Sequence, residues 1–123
     1  MGYSTNQIFS ADHLRKLPTQ ERLGRCPLFL RNLVESAQTR FDLKRVIVFG
    51  SRSRQDFRPM SDYDICFEIK DFDQNAWAEF LSISAETVET LLNLDLVNLD
   101  QCSSVFKAKI LDEGVVIFEK YVT

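Results

Sequence analysis

Apolar residues recur along this chain with two periods, and the changes between them outline a mixed α and β domain. After Pro27, which suits a helix start, Leu30, Leu33, Val34, Ala37 and Phe41 follow at helical spacing to about Arg40. Val46 to Phe49 is an apolar run of strand length that ends at Gly50, and Ser51 to Gln55 reads as the start of a short helix. Tyr63, Ile65, Phe67 and Ile69 then alternate with Asp64, Cys66 and Glu68, a strand pattern with one acidic face. Asp73 is placed to cap a helix lined by Trp77, Phe80, Leu81, Ser84, Val88, Leu91 and Leu92. A strand around Asp95, a helix from about Ser104 to Glu113 stopped by Gly114, and a last strand from Val115 to Phe118 complete the order.

Each apolar helix face can cover one side of a small sheet, so the expected class is α/β (α+β), with about four strands flanked by helices. Residues 1–26 are poorly patterned and interrupted by Pro18 and Gly24, and they read as a partly helical arm ahead of a domain over 27–123. A chain of 123 residues is long enough for one core. It is too short to hold catalytic and template-gripping domains together.

Charge sharpens this picture. The net charge of −3 hides an uneven distribution, with eleven Lys or Arg against five Asp or Glu up to residue 58, and four against thirteen after it. Proteins that grip duplex nucleic acid are normally basic overall, so direct nucleic-acid binding is disfavoured. Lys44, Arg45, Arg52, Arg54 and Arg58 are instead available for a nucleoside triphosphate or an acidic partner. Cys26, Cys66 and Cys102 are widely spaced and odd in number, which predicts reduced thiols and a cytoplasmic setting. No apolar run reaches the length of a membrane span or a signal peptide.

The candidate chemistry sits around Gly50. Asp62 and Asp64 open the second strand, where side chains two apart share a face. Two ionised carboxylates about 4 Å apart repel by roughly 4 kcal/mol at an effective dielectric of about 20, so a fold that keeps them needs a cation, a shared proton or open solvent. Asp-x-Asp alone would read as a solvated turn. With Gly50-Ser51 and its free N–H groups nearby, the pair reads as a magnesium site facing a phosphate. Asp95 adds an acidic position inside an apolar run, where an aspartate is a poor strand former unless paired or bound to metal. Its side chain falls on the face opposite Leu94 and Leu96. His13 reads as a surface residue, and Trp77 and the phenylalanines as core or interface.

Gly50-Ser51, ten residues, then Asp62-Tyr63-Asp64 resembles the Gly-Ser-x10-Asp-x-Asp signature of the polymerase-beta-like nucleotidyltransferase superfamily. The stretch Gly50-Ser51-Arg52-Ser53-Arg54-Gln55, followed by Arg58-Pro59-Met60-Ser61-Asp62-Tyr63-Asp64-Ile65, looks most like the minimal nucleotidyltransferases (MNT) of bacteria and archaea. Gln55 stands where those relatives usually have glycine. Leu94-Asp95-Leu96-Val97 resembles the strand that carries the family's third carboxylate. The likeness runs from roughly Leu28 to Tyr121.

The resemblance implies a mixed sheet, two Mg²⁺ ions bound by Asp62 and Asp64 together with the triphosphate, and Asp95 as ligand to one of them and aid to the attacking hydroxyl. It also implies that Gly50 and Ser51 hold the β- and γ-phosphates, with Arg52 adding charge. The implied reaction is transfer of AMP from ATP to a tyrosine of a helical HEPN-domain toxin, with this chain as the antitoxin of the pair. Two other readings compete: a binding module that neutralises its partner by occlusion alone, and nucleotidyl transfer to a small molecule. A homodimer or a hetero-oligomer is open on either account.

Overall fold

The computed structural model describes residues 9–54, 62–87 and 93–120, so Gln55, Arg58, Val88, Leu91 and Leu92 lie outside the described residues. The elements run α1 (Ala11–Arg15), α2 (Thr19–Arg22), α3 (Leu28–Arg40), β1 (Asp42–Phe49), β2 (Tyr63–Lys70), α4 (Gln74–Thr87), β3 (Leu94–Asn98), α5 (Ser104–Glu113) and β4 (Val115–Glu119). The four strands form one sheet in the order β3-β2-β1-β4. β1 pairs antiparallel with both β2 and β4, whereas β2 and β3 are parallel and joined through α4. The sheet is therefore mixed.

Alternation along the strands divides the core between the two faces of the sheet. On one side Val46, Val48, Tyr63, Ile65, Phe67, Ile69, Val115 and Ile117 meet residues of α1, α3 and α4. Phe67, Trp77 and Phe80 form the aromatic centre of that layer, with ring centroids 5.5–5.6 Å apart, and Phe41 closes on Phe80 at 5.4 Å. On the other side Ile47, Phe49, Cys66, Leu99 and Ile110 make a smaller core beneath α5, with Val97, Cys102 and Val116 at its margin.

Several boundaries follow from local chemistry. Pro27 is the N-cap of α3, one position ahead of its first helical residue. Asp73 caps α4, its Oδ1 accepting from Asn75 N at 3.2 Å. Ser103 caps α5 by accepting from Phe106 N at 3.2 Å. Gly114 ends α5 in an extended conformation (φ −74°, ψ 160°), not in a left-handed turn. Glycine is needed there for space, because a side chain would overlap Ile47 Cγ2 and the Ile110 carbonyl.

Two segments differ from their sequence expectation. β1 begins at Asp42, four residues before the apolar run, because its polar start is paired across the sheet. Lys44 and Arg45 both reach Glu68, and Lys120 Nζ meets Asp42 Oδ1 at 2.6 Å. Lys44 and Arg45 thus pair with Glu68 near the start of β1, away from the end of the strand that leads into Gly50. Residues 9–26 hold the short helices α1 and α2, and they supply Phe9, Ala11, Leu14 and Cys26 to the main core. Cys26 and Cys66 are buried free thiols, each pushed up to about 12 by burial. Among the described residues, no helix is long and apolar enough to cross a membrane.

Candidate active site

The site is assembled where β1 ends. Phe49 closes the strand against the smaller core, and the next residue turns the chain with φ +72°, a conformation that glycine adopts without strain. Gly50–Ser53 then form a single 3₁₀ turn, a short helix that starts one residue before the expected Ser51 and ends at Ser53. The turn is closed on itself, with Ser53 Oγ donating to the Gly50 carbonyl at 2.7 Å and Arg54 N to the Ser51 carbonyl at 3.1 Å.

Phe49, Asp64 and Asp95 occupy one row across the sheet, Phe49 paired with Asp64 and Asp64 with Asp95. Residues in such a row project from the same face. Asp64 is half-buried, and Asp95 lies exposed on the edge strand β3. Asp62 is exposed at the entrance to β2, one residue before the strand begins, so it joins from the preceding loop rather than from within the strand. Gly50 faces the same carboxylate: a Cβ there would overlap Asp64 Oδ2 and stand 3.0 Å from Cγ.

Asp64 holds its proton above the ordinary carboxylate range. Burial is the first cause, the negative charges of Asp95 and Asp62 add to it, and Arg54 opposes them. The three aspartates therefore share one electrostatic environment. Among the described residues no three His, Cys, Asp or Glu side chains gather into a metal cage by themselves. A half-buried carboxylate with two acidic neighbours nonetheless fits Mg²⁺, which is commonly held by one or two carboxylates with substrate phosphates and water completing the shell.

The arginines are placed differently from one another. Arg52 is 3% exposed, and its guanidinium lies 4.3 Å from the centre of the Tyr63 ring, so its charge is turned inward beneath the turn. Burial raises the Tyr63 hydroxyl, and the Arg52 charge offsets part of that rise. Arg54 is exposed, pairs with Glu113 at 3.2 Å and acts on Asp64. Sequence reasoning named Arg54 only as a nearby cation. What separates the two arginines is tertiary packing, the Tyr63 ring for Arg52 and the Glu113 carboxylate for Arg54.

The family model described as Polymerase beta, Nucleotidyltransferase matches residues 31–122, which spans β1, the Gly50 turn and all three aspartates. The chain belongs to this family. No curated protein matches it significantly. Solved structures with the same fold include a toxin-antitoxin complex with AMP-PNP, 22% identical, covering 74% of this chain and 73% of the other at a TM-score of 0.60. The toxin-antitoxin MntA-HepT is 21% identical over 76% and 72% of the two chains, with a TM-score of 0.57. A third is the tri-AMPylated Shewanella oneidensis HEPN toxin in complex with MNT antitoxin, 22% identical over 84% and 74%, with a TM-score of 0.50. The polymerase-beta-like nucleotidyltransferase fold expected from the Gly-Ser-x10-Asp-x-Asp signature is the fold observed.

Proposed function

We propose that this protein is a magnesium-dependent adenylyltransferase that moves AMP from ATP to a tyrosine hydroxyl of a HEPN-type toxin, and thereby acts as its antitoxin. The observation that carries this reading is the alignment of Asp64 with Asp95 on adjacent strands, with Gly50 shaped around the Asp64 carboxylate. Membership of the nucleotidyltransferase family supports the reaction class. The similar complexes, one with AMP-PNP and one whose HEPN toxin is AMPylated, support the donor and the acceptor.

Each residue then has a task. Gly50 and Ser51 present backbone N–H groups and a hydroxyl to the β- and γ-phosphates of the departing pyrophosphate. Arg52 sets positive charge beneath that turn from its seat on Tyr63. Asp62 and Asp64 hold the metal side of the triphosphate, and Asp95 orients the acceptor hydroxyl and draws its proton as the new P–O bond forms. Two bound Mg²⁺ ions would supply electrostatic stabilisation of the entering and leaving oxygens. The bond to pyrophosphate breaks, and the acceptor leaves carrying AMP.

Occlusion without chemistry is favoured by one separate observation, the exposed apolar residues of α5, Val105 at 81% and Leu111 at 45%. The two readings part on one experiment. The HEPN-domain protein is incubated with this chain, ATP and Mg²⁺, and its intact mass is recorded. Additions in units of AMP on a tyrosine are expected, and an Asp62→Asn, Asp64→Asn double variant should bind the partner without adding them. An unmodified partner in a stable wild-type complex would reject the enzyme reading.

A further inference from the structure

We propose that Arg15 is a positioning residue of the nucleotide site, and that the segment before α3 acts as a brace for the Gly50–Ser53 turn. The inference rests on the functional reading above only in assigning that turn to the phosphates.

One guanidinium nitrogen of Arg15, Nη2, donates to two carbonyls distant in sequence, that of Ser53 at 3.1 Å and that of Glu113 at 2.9 Å. Ser53 is the last residue of the turn, and Glu113 is the last residue of α5. A helix leaves its final carbonyls without intrahelical partners, and a cation there also meets the favourable end of the helix dipole. Arg15 thus fastens α1, the turn and the end of α5 at one point. The Glu113 carboxylate completes the joint by pairing with Arg54, which follows the turn directly.

A second contact reaches the turn from the same segment. Phe9 is fully buried and packs edge-on against Tyr63, with centroids 5.9 Å apart. Tyr63 carries the Arg52 guanidinium on its ring and directly precedes Asp64. Residues 9–15 therefore support the turn from both ends, through Arg15 at Ser53 and through Phe9 and Tyr63 at Arg52. Phosphate-holding N–H groups must be kept within a fraction of an ångström of their working positions, because displacements of about 1 Å can lower rates a hundredfold.

Arg22 offers an internal comparison. It belongs to the same segment and likewise donates to two carbonyls, those of Leu17 at 3.1 Å and Val116 at 3.0 Å, but these lie in the segment itself and on β4. A merely structural role predicts similar behaviour when either arginine is removed.

The test uses the full chain with Arg15→Ala, Arg15→Lys and Arg22→Ala. Mg-ATP affinity is measured by titration, KM and kcat for AMP transfer are separated, and hydrogen exchange is followed at the amides of residues 51–54. Arg15→Ala should raise KM for ATP about tenfold, leave kcat within about threefold, and speed exchange at those amides. Arg15→Lys should recover part of the loss, because an ammonium can reach one of the two carbonyls. Arg22→Ala should lower the melting temperature without moving KM or that exchange. If Arg15→Ala behaves like Arg22→Ala in both readouts, the brace is refuted. If the wild type neither binds Mg-ATP nor transfers AMP, the functional reading fails. Exchange at 51–54 then still decides the brace, which stands if Arg15→Ala speeds it and falls if it does not.

Discussion

Gly50 and Asp64 are fitted to one another. The glycine turns with φ +72°, and any Cβ at that position would overlap the Asp64 carboxylate at Oδ2. Two demands, one of backbone conformation and one of space, fall on the same residue. Gly50→Ala should therefore lose at least about a hundredfold in kcat/KM and destabilise the fold by roughly 1–3 kcal/mol. Steady-state kinetics and thermal melting of the variant check both.

Asp64 should be a residue whose charge works against the unliganded fold. It is half-buried and shares its surroundings with Asp95 and Asp62. Asp64→Asn is expected to raise the stability of the metal-free protein by about 1 kcal/mol, or about 4 °C in melting temperature, while lowering AMP transfer by roughly two to four powers of ten. The exposed Asp62 should show the kinetic loss without the gain in stability. Parallel melts and kinetics of the two variants separate these outcomes.

The same group sets a pH dependence with a definite sign. Asp64 has a folded-state value raised above its ordinary 3.8, so between 3.8 and that value the unfolded chain has released a proton that the folded chain keeps. Its contribution to stability is fully present below 3.8 and is lost as pH rises through the raised value. A divalent cation must displace this proton, so stabilisation by Mg-ATP should weaken as pH falls into that window. Melting temperatures with and without Mg-ATP, taken from about pH 4 to 7, should show this, and the effect should be smaller in Asp64→Asn.

Phe80 is the structural counterpart. It is fully buried among Phe41, Phe67 and Trp77. Phe80→Ala should cost about 3–5 kcal/mol, whereas Val105→Ser on the exposed side of α5 should stay within about 0.5 kcal/mol. Urea unfolding of both variants measures the contrast.

Much of the fold was legible because its determinants are local. The α5 boundaries follow from a serine cap and a glycine stop, and the β2 faces follow from strict alternation. The polar start of β1 was hidden because Lys44 and Arg45 form strand only through partners on β2 that are 23 or more residues away. Leu14 could not be read as core because a short helix shows too few turns to reveal a face, and Phe9 precedes that helix altogether. Within the site, the glycine and the aspartates announce themselves by residue type and spacing. The inward turn of Arg52 and the reach of Arg15 to Ser53 do not, because both depend on what three-dimensional packing brings alongside.

The most direct measurement replaces Mg²⁺ with paramagnetic Mn²⁺ in the presence of ATP and maps the broadening of backbone amide signals. Broadening centred on residues 50–53, 62–64 and 94–96 is the predicted result. Broadening that spares the strand carrying Asp95, or that centres on another part of the molecule, would contradict the account.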